Sequence, residues 1–205
     1  ELVIGEYGSL TGNDATFGQS TKNGVELALQ ELTAQKEGKI GGLKVRVVSE
    51  DDQGRAEEAA TAVQKLINQD RVIAVIGEVP SSRSLAGAPI CQPNGVPMVS
   101  PSSTNTKVTQ VGEYIFRMCF IDDFQGVVMA KFPNDNLKVK KVAILKDVKS
   151  DYSVGLAQFF TGAFTALGGT IVMKDQAYSA GDQDFRAQLT AIKAKSPDAI
   201  FVPGY

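Results

Sequence analysis

Short runs dense in Val, Ile and Leu alternate along this chain, almost end to end, with longer stretches whose apolar positions recur every three to four residues. The first pattern predicts strands and the second amphipathic helices. Strands are expected at Leu2–Tyr7, Leu43–Ser49, Val72–Ile76, Pro97–Ser100, Tyr114–Phe120, Val142–Leu145, Thr170–Lys174 and Ala199–Val202. Helices are expected over residues 16–35, 55–68, 82–92, 122–132, 154–167 and 184–195. Val25, Leu27, Ala28, Leu29 and Leu32 stripe the first helix, and Ala59, Ala62, Val63, Leu66 and Ile67 the second. Val72–Ile76 is apolar throughout, the mark of a strand covered on both sheet faces. Pro133 and the Asn-Asp-Asn after it are expected to end one helix, and Gly168-Gly169 another.

Strict strand–helix alternation implies an α/β fold with parallel sheets flanked by helices. Two successive series, separated near residues 118–123, predict two lobes: a first over 1–120 and a partial second over 121–205.

Composition narrows the function more than the fold. At 205 residues and 43 % apolar content the chain can bury a substantial core. A net charge of −2 leaves no basic footprint, which argues against a nucleic-acid partner. No apolar run approaches the roughly 18 residues that membrane insertion requires. With no histidine, Ser–His–Asp and Cys–His catalysis and His-ligated zinc are excluded. Cys91 and Cys119 cannot alone build a structural zinc site, and each sits beside apolar residues as a small buried hydrophobe would. No metal and no cofactor are expected. The start at Glu1, inside a strand pattern, suits a mature exported chain with its signal peptide removed, and equally a trimmed cytosolic one.

Candidate chemistry lies in the segments after the strands, because open α/β sheets bind ligands beyond the carboxyl ends of their strands. Those segments read GSLTGNDATFG, EDDQG, GEVPSSRS, PSSTNT, KDVKSDYS and PGY. They carry hydroxyls, backbone amides and aromatic rings, with no nucleophile–base pair, so an enzyme of the doubly wound class falls behind a binding protein. The glycines of GEYGSLTG do not match a phosphate loop. Ser81 and Ser82 admit two readings, as helix caps and as anion ligands at a helix N-terminus, and both can hold at once. The second hydroxyl cluster, VSPSST at 99–104, favours a ligand. Asp51 and Asp52 have the chemistry to chelate a cation but are expected to be solvated or capping, and the KVKK run at 138–141 to be a solvated turn; Glu78, after Gly77 at a strand end, either borders the cleft or is exposed, with exposure the default.

Taken in order, SLTGNDATFG, NGVELAL, EDDQG, VIGEVPSSRS, GVPMVSPSST, FRMCFIDDFQG, KDVKSDYSVGLA and PDAIFVPGY resemble the type I periplasmic solute-binding proteins, in their branched-chain amino acid (Leu/Ile/Val) branch. The resemblance implies a two-lobed, non-enzymatic receptor. Such a receptor closes by a hinge on an amino acid, or similar small carboxylate, in its interlobe cleft and delivers it to the membrane permease of an ABC transporter. It implies a periplasmic location, or a lipid-anchored extracytoplasmic one in a Gram-positive cell. Carried over by position, Ser81 resembles the serine that meets the ligand carboxylate, with Ser82 beside it. Ser102 resembles the residue whose carbonyl accepts the ammonium, and Thr104 the threonine that contacts both charged groups. Phe17 matches an aromatic near the cleft mouth, Asp122 a residue at the crossing between lobes, and Tyr152 and Tyr205 the aromatics that close over the ligand. Some relatives join two of these loops by a disulfide where this chain has Gly54 and Pro80. The resemblance further implies additional βα units, so that the second lobe is incomplete here. A ligand sensor of the same fold, taking an amide or an aromatic acid, is the alternative.

Overall fold

The computed structural model describes residues 1–205, which divide into two compact units. Unit 1 comprises Glu1–Ser103 and Lys107–Cys119; unit 2 comprises Thr104–Thr106 and Phe120–Tyr205. The chain therefore passes between the units three times.

Unit 1 is built on a six-stranded sheet of order β2-β3-β1-β4-β5-β6. Its strands are β1 (Leu2–Gly8), β2 (Lys39–Ile40), β3 (Leu43–Asp51), β4 (Ala74–Ile76), β5 (Met98–Ser100) and β6 (Ile115–Arg117). Its helices are α1 (Ala15–Lys36), α2 (Ala56–Asn68), α3 (Ser81–Cys91) and the single turn α4 (Lys107–Gln110). All pairings are parallel except β2 with β3, a two-residue antiparallel hairpin that the expected all-parallel sheet lacked. Gly38, Gly41 and Gly42, all at positive φ, make the reversals that this hairpin needs.

Side chains on β1 alternate across the sheet. Tyr7 shares one face with Gly5, where Leu66 and Val72 press so closely that a Cβ would meet Leu66 at 2.9 Å. This is the main core, with Val63 and Leu66 of α2, Val75 of β4, Met98 of β5 and Ile115 of β6. The predicted stripe of α2 is buried in full, and Glu57 and Glu58 in its first turn with Lys65 in its last complement the helix dipole. On the opposite face Ile4, Val45, Val47 and Ile76 look toward α1 across an apolar groove of about 480 Å³, lined on the helix side by Val25 and Leu29. The stripe expected to bury α1 is consequently only half covered, and Leu27 is exposed. The one fully buried residue of α1 is Gly18, where a Cβ would stand 2.1 Å from the Ser9 carbonyl oxygen. Glycine is required there by the closeness of helix to loop.

Unit 2 has a three-stranded parallel sheet of order β8-β7-β9: β7 (Lys141–Asp147), β8 (Thr170–Tyr178) and β9 (Ala199–Phe201). Its helices are α5 (Asp122–Lys131), α6 (Asp151–Ala166) and α7 (Arg186–Lys193). Ser150 caps α6, its hydroxyl accepting the Ser153 N–H at 3.2 Å. The core joins Val142, Ile144, Leu156, Phe160, Phe164 and Phe201, with Phe160 and Phe201 stacked at 3.9 Å between centroids. Pro133 does not stop the chain's winding after α5: Phe132–Asn136 continues as one π-turn, a wider winding that accommodates the ring.

Candidate functional site

The loops that follow β1, β3, β4 and β5 lie at one edge of the unit 1 sheet, the carboxyl ends of its parallel strands. The β4–α3 loop is their centre. Gly77 has φ +137, and a Cβ there would sit 2.3 Å from the Tyr7 carbonyl oxygen, so only glycine fits. The Glu78 backbone is then enclosed by hydroxyls. Ser84 Oγ lies 3.0 Å, Ser100 Oγ 2.8 Å and Ser103 Oγ 2.8 Å from the Glu78 carbonyl oxygen. The Glu78 N–H donates to Ser84 Oγ at 3.2 Å, and the Ser103 N–H donates to Ser100 Oγ at 2.9 Å. All three serines are fully buried. Much of the hydroxyl content that pointed to a ligand is therefore used in binding one loop to the next.

The serines expected to meet a ligand stand beside this knot. Ser81 is the first residue of α3, fully buried, and Ser82 follows half-buried. The capping reading fails for both, because the N-cap position is Pro80 and makes no side-chain cap bond. The Pro80 carbonyl instead accepts the N–H groups of Arg83 at 3.1 Å and Ser84 at 3.2 Å. Ser102 is exposed on the β5 loop, and Phe17 in the first turns of α1 is 40 % exposed. Phe17, Ser81, Ser82 and Ser102 thus all belong to unit 1.

The acidic residues of this edge correct two expectations. Asp51 organises the β1–α1 loop, accepting from the N–H groups of Leu10 at 2.9 Å and Gln53 at 2.8 Å and from the Thr11 hydroxyl at 2.6 Å. These bonds outweigh partial burial and hold its carboxyl below the usual carboxylate range. Asp52 and Glu78 are buried rather than exposed. Glu78 Oε1 accepts the Ser9 N–H at 3.1 Å and the Ser9 hydroxyl at 2.7 Å, and its Oε2 accepts the Val79 N–H. Burial, together with the charge of Asp52, raises the Glu78 carboxyl to about 8 despite the Ser9 bond and the Arg83 charge. Arg83 gathers the loops: Nη1 donates to Ser9 Oγ at 2.9 Å and lies 3.6 Å from Glu78 Oε1, while Nη2 donates to Asp14 and, at 2.7 Å, to the Gly54 carbonyl. That last bond joins the two loops for which the resemblance implied a disulfide in some relatives. Neither cysteine is disulfide-bonded; Cys91 is buried, its thiol pushed up to about 12 by burial, whereas Cys119 is only half-buried, unlike its expected place in the core.

Unit 2 holds the other candidates. The Thr104 carbonyl accepts the Asp122 N–H at 2.9 Å, and the Asn105 side chain donates to the Asp151 carbonyl at 2.7 Å. Asp122 is fully buried in the first turn of α5. Tyr152 Oη accepts from Gln125 at 3.0 Å, its ring 5.0 Å from that of Tyr205, and burial raises its hydroxyl above the usual phenol range. Ser153 repeats the role of Ser84, accepting the N–H of the residue six positions earlier, Asp147, at 2.9 Å. Its hydroxyl donates to the Pro203 carbonyl at 2.6 Å. Asn105, Ser103, Ser84 and Arg83 were missed by sequence reasoning. The strand-to-helix spacing that puts a serine six residues after Glu78 and after Asp147 is the one signal that could have found two of these hydroxyl anchors.

Hydroxyls and aromatic rings thus gather at strand ends in each of two α/β units, the places where open α/β sheets bind small ligands. Comparison with known proteins narrows that reading. The periplasmic binding protein family matches residues 1–204, and the chain belongs to that family. It is 36 % identical to a Leu/Ile/Val-binding protein of Rhizobium johnstonii over 206 residues, covering 100 % of this chain and 55 % of that protein. Among solved structures, a leucine binding protein from Thermotoga maritima superposes with a TM-score of 0.93 at 42 % identity, over 100 % of this chain and 57 % of that one. A branched-chain amino acid transporter substrate binding protein from Streptococcus pneumoniae, in complex with isoleucine, gives a TM-score of 0.89 at 36 % identity, again over 100 % and 57 %. The chain spans about half the length of the curated relatives it matches. No helix is long and apolar enough to cross a membrane.

Proposed function

We propose that this chain is the ligand-capturing part of an ABC-transporter substrate-binding protein for a branched-chain or similar α-amino acid. The observation that carries the reading is the start of α3, where Ser81 and Ser82 follow a proline N-cap and adjoin the Glu78 knot. A carboxylate there would meet the positive end of a helix dipole and hydroxyl donors, and charge-assisted bonds of this kind are the stronger class. The Ser102 carbonyl and Thr104 are the proposed partners of the ammonium. Asp122, Tyr152 and Tyr205 are the contacts proposed from the second unit, and Phe17 the aromatic that borders the ligand. The partner implied is the transporter's membrane permease, and the location periplasmic or otherwise extracytoplasmic. Titration calorimetry with isoleucine tests the reading: Ser81→Ala and Thr104→Ala should each weaken binding by about 1–3 kcal/mol, the worth of a hydrogen bond to a charged group. Unchanged affinity in both variants, or tight binding of an aromatic acid with none of any amino acid, would contradict it.

A further inference from the structure

Glu78 and Asp52 are two fully buried carboxyl groups that face each other at the sheet edge of unit 1. Asp52 Oδ1 accepts the Gly54 N–H at 2.9 Å, but its Oδ2 is buried with no N–H or hydroxyl donor in reach. A buried acceptor of that kind is costly unless a donor is supplied. The charges around the pair are few. Arg83, on α3, is the cation; its guanidinium is shared with Asp14 and lies 3.6 Å from Glu78 Oε1. From β1 the Tyr7 ring presses in, fully buried, and its hydroxyl is raised well above the phenol range chiefly by burial and next by the Glu78 charge. Three carboxylates against one guanidinium leave an excess of negative charge that a single proton would reduce.

We propose that Glu78 keeps its proton at neutral pH and donates it in a hydrogen bond to Asp52, and that this bond locks together the loops after β1, β3 and β4. Glu78 is then a positioning residue for ligand capture. The geometry shows how the lock acts. The Glu78 carboxyl accepts both donors of Ser9 in the β1–α1 loop, and Asp52 folds the β3–α2 turn through Gly54. The Glu78 main chain holds Ser84, Ser100 and Ser103, next to the serines that begin α3. With the proton in place Glu78 donates to Asp52 Oδ2 and every buried oxygen of the pair is satisfied. When the proton leaves to solvent, two like charges face each other without water, and the repulsion is relieved only by parting the loops. The consequence for affinity rests on the amino acid reading above; the Glu78 proton itself does not.

Two measurements keep those claims apart. Infrared difference spectra of Glu78→Gln against the unsubstituted protein should show a protonated carboxylic stretch at pH 7 that disappears with a midpoint near pH 8. Asp52→Asn should move that midpoint down toward the ordinary glutamate range. Hydrogen–deuterium exchange at matched pH should show segments 8–14, 52–55 and 78–84 opening above pH 8 in the unsubstituted protein and not in Glu78→Gln. Isoleucine affinity should then fall by up to about tenfold per pH unit above 8, the slope of one linked proton, and this slope should vanish in Glu78→Gln. No carboxylic band at pH 7, or one that Glu78→Gln leaves in place, overturns the Glu78 proton. A band with equal exchange in both proteins overturns the lock. If the band and the exchange behave as expected while isoleucine fails to bind at any pH, the lock stands and the ligand assigned above is wrong.

Discussion

Replacing Arg83 by alanine tests the energetics of the unit 1 edge most severely. The guanidinium is 12 % exposed and makes four contacts, to Ser9, Glu78, Asp14 and the Gly54 carbonyl. Its partners differ in what they lose. Asp14 is 22 % exposed and can turn to water, so its share is small. Glu78 is 1 % exposed and cannot. The Gly54 carbonyl and the Ser9 hydroxyl lose a charged donor, for which a net cost of about 1.5–3 kcal/mol is typical. Glu78, its carboxyl raised to about 8, keeps its proton at neutral pH and adds no unpaired charge, so the two lost charged bonds set the cost, about 3–5 kcal/mol together. We therefore expect Arg83→Ala to lose about 3–5 kcal/mol of unfolding free energy. With a urea dependence of about 2 kcal/mol per molar, the midpoint would shift down by about 2 M. The control is Arg186→Ala, which breaks a 2.6 Å ion pair with Asp184 whose members are 89 % and 59 % exposed, and which should leave the midpoint unmoved. Equal midpoints for the two variants would refute the claim that Arg83 binds the edge together.

Other outcomes follow from the same structure. Because Glu78 is raised from 4.5 to about 8 by folding, the folded chain holds a proton that the unfolded chain has lost, and stability should decline as pH rises between those values. Denaturation midpoints across that window should fall in the unsubstituted protein and fall less in Glu78→Gln; a rise attributable to Glu78 would reverse the assignment. Gly18→Ala drives a Cβ to 2.1 Å from a backbone oxygen, so α1 must shift, and a loss of thermal stability of several degrees should be seen by calorimetric scanning. Thiol titration of the native chain should label Cys119 first and reach Cys91 only on unfolding, since Cys91 is fully buried with its thiol raised to about 12.

Much of the architecture was legible because hydrophobic period encodes it. The stripe of α2 appears in the structure residue for residue, and the α/β alternation holds everywhere except at the β2–β3 hairpin. Where the sequence misled, a specific competing interaction explains it. The α1 stripe was read correctly as a helix face, yet its cover on the sheet side is a groove rather than a filled core. The β2 hairpin is two residues long, too short to show a period. Pro133 signals a stop, but an i→i+5 winding absorbs it. The candidate edge was legible as a set of loops, and the resemblance supplied roles for Ser81, Ser102 and Thr104. Glu78, Asp52 and Arg83 were opaque for a physical reason: a charged residue at a strand end is ordinarily solvated, and only the convergence of three loops shows these to be buried and mutually satisfied.

The most direct test of the central claim is an amide nuclear magnetic resonance titration of the labelled chain with isoleucine, which registers even weak capture. The account predicts saturable shifts concentrated at Ser81, Ser82, Ser102 and Thr104, and none on adding benzoate in its place. Shifts on benzoate with none on any α-amino acid, or shifts on isoleucine that leave these four residues unmoved, would contradict it.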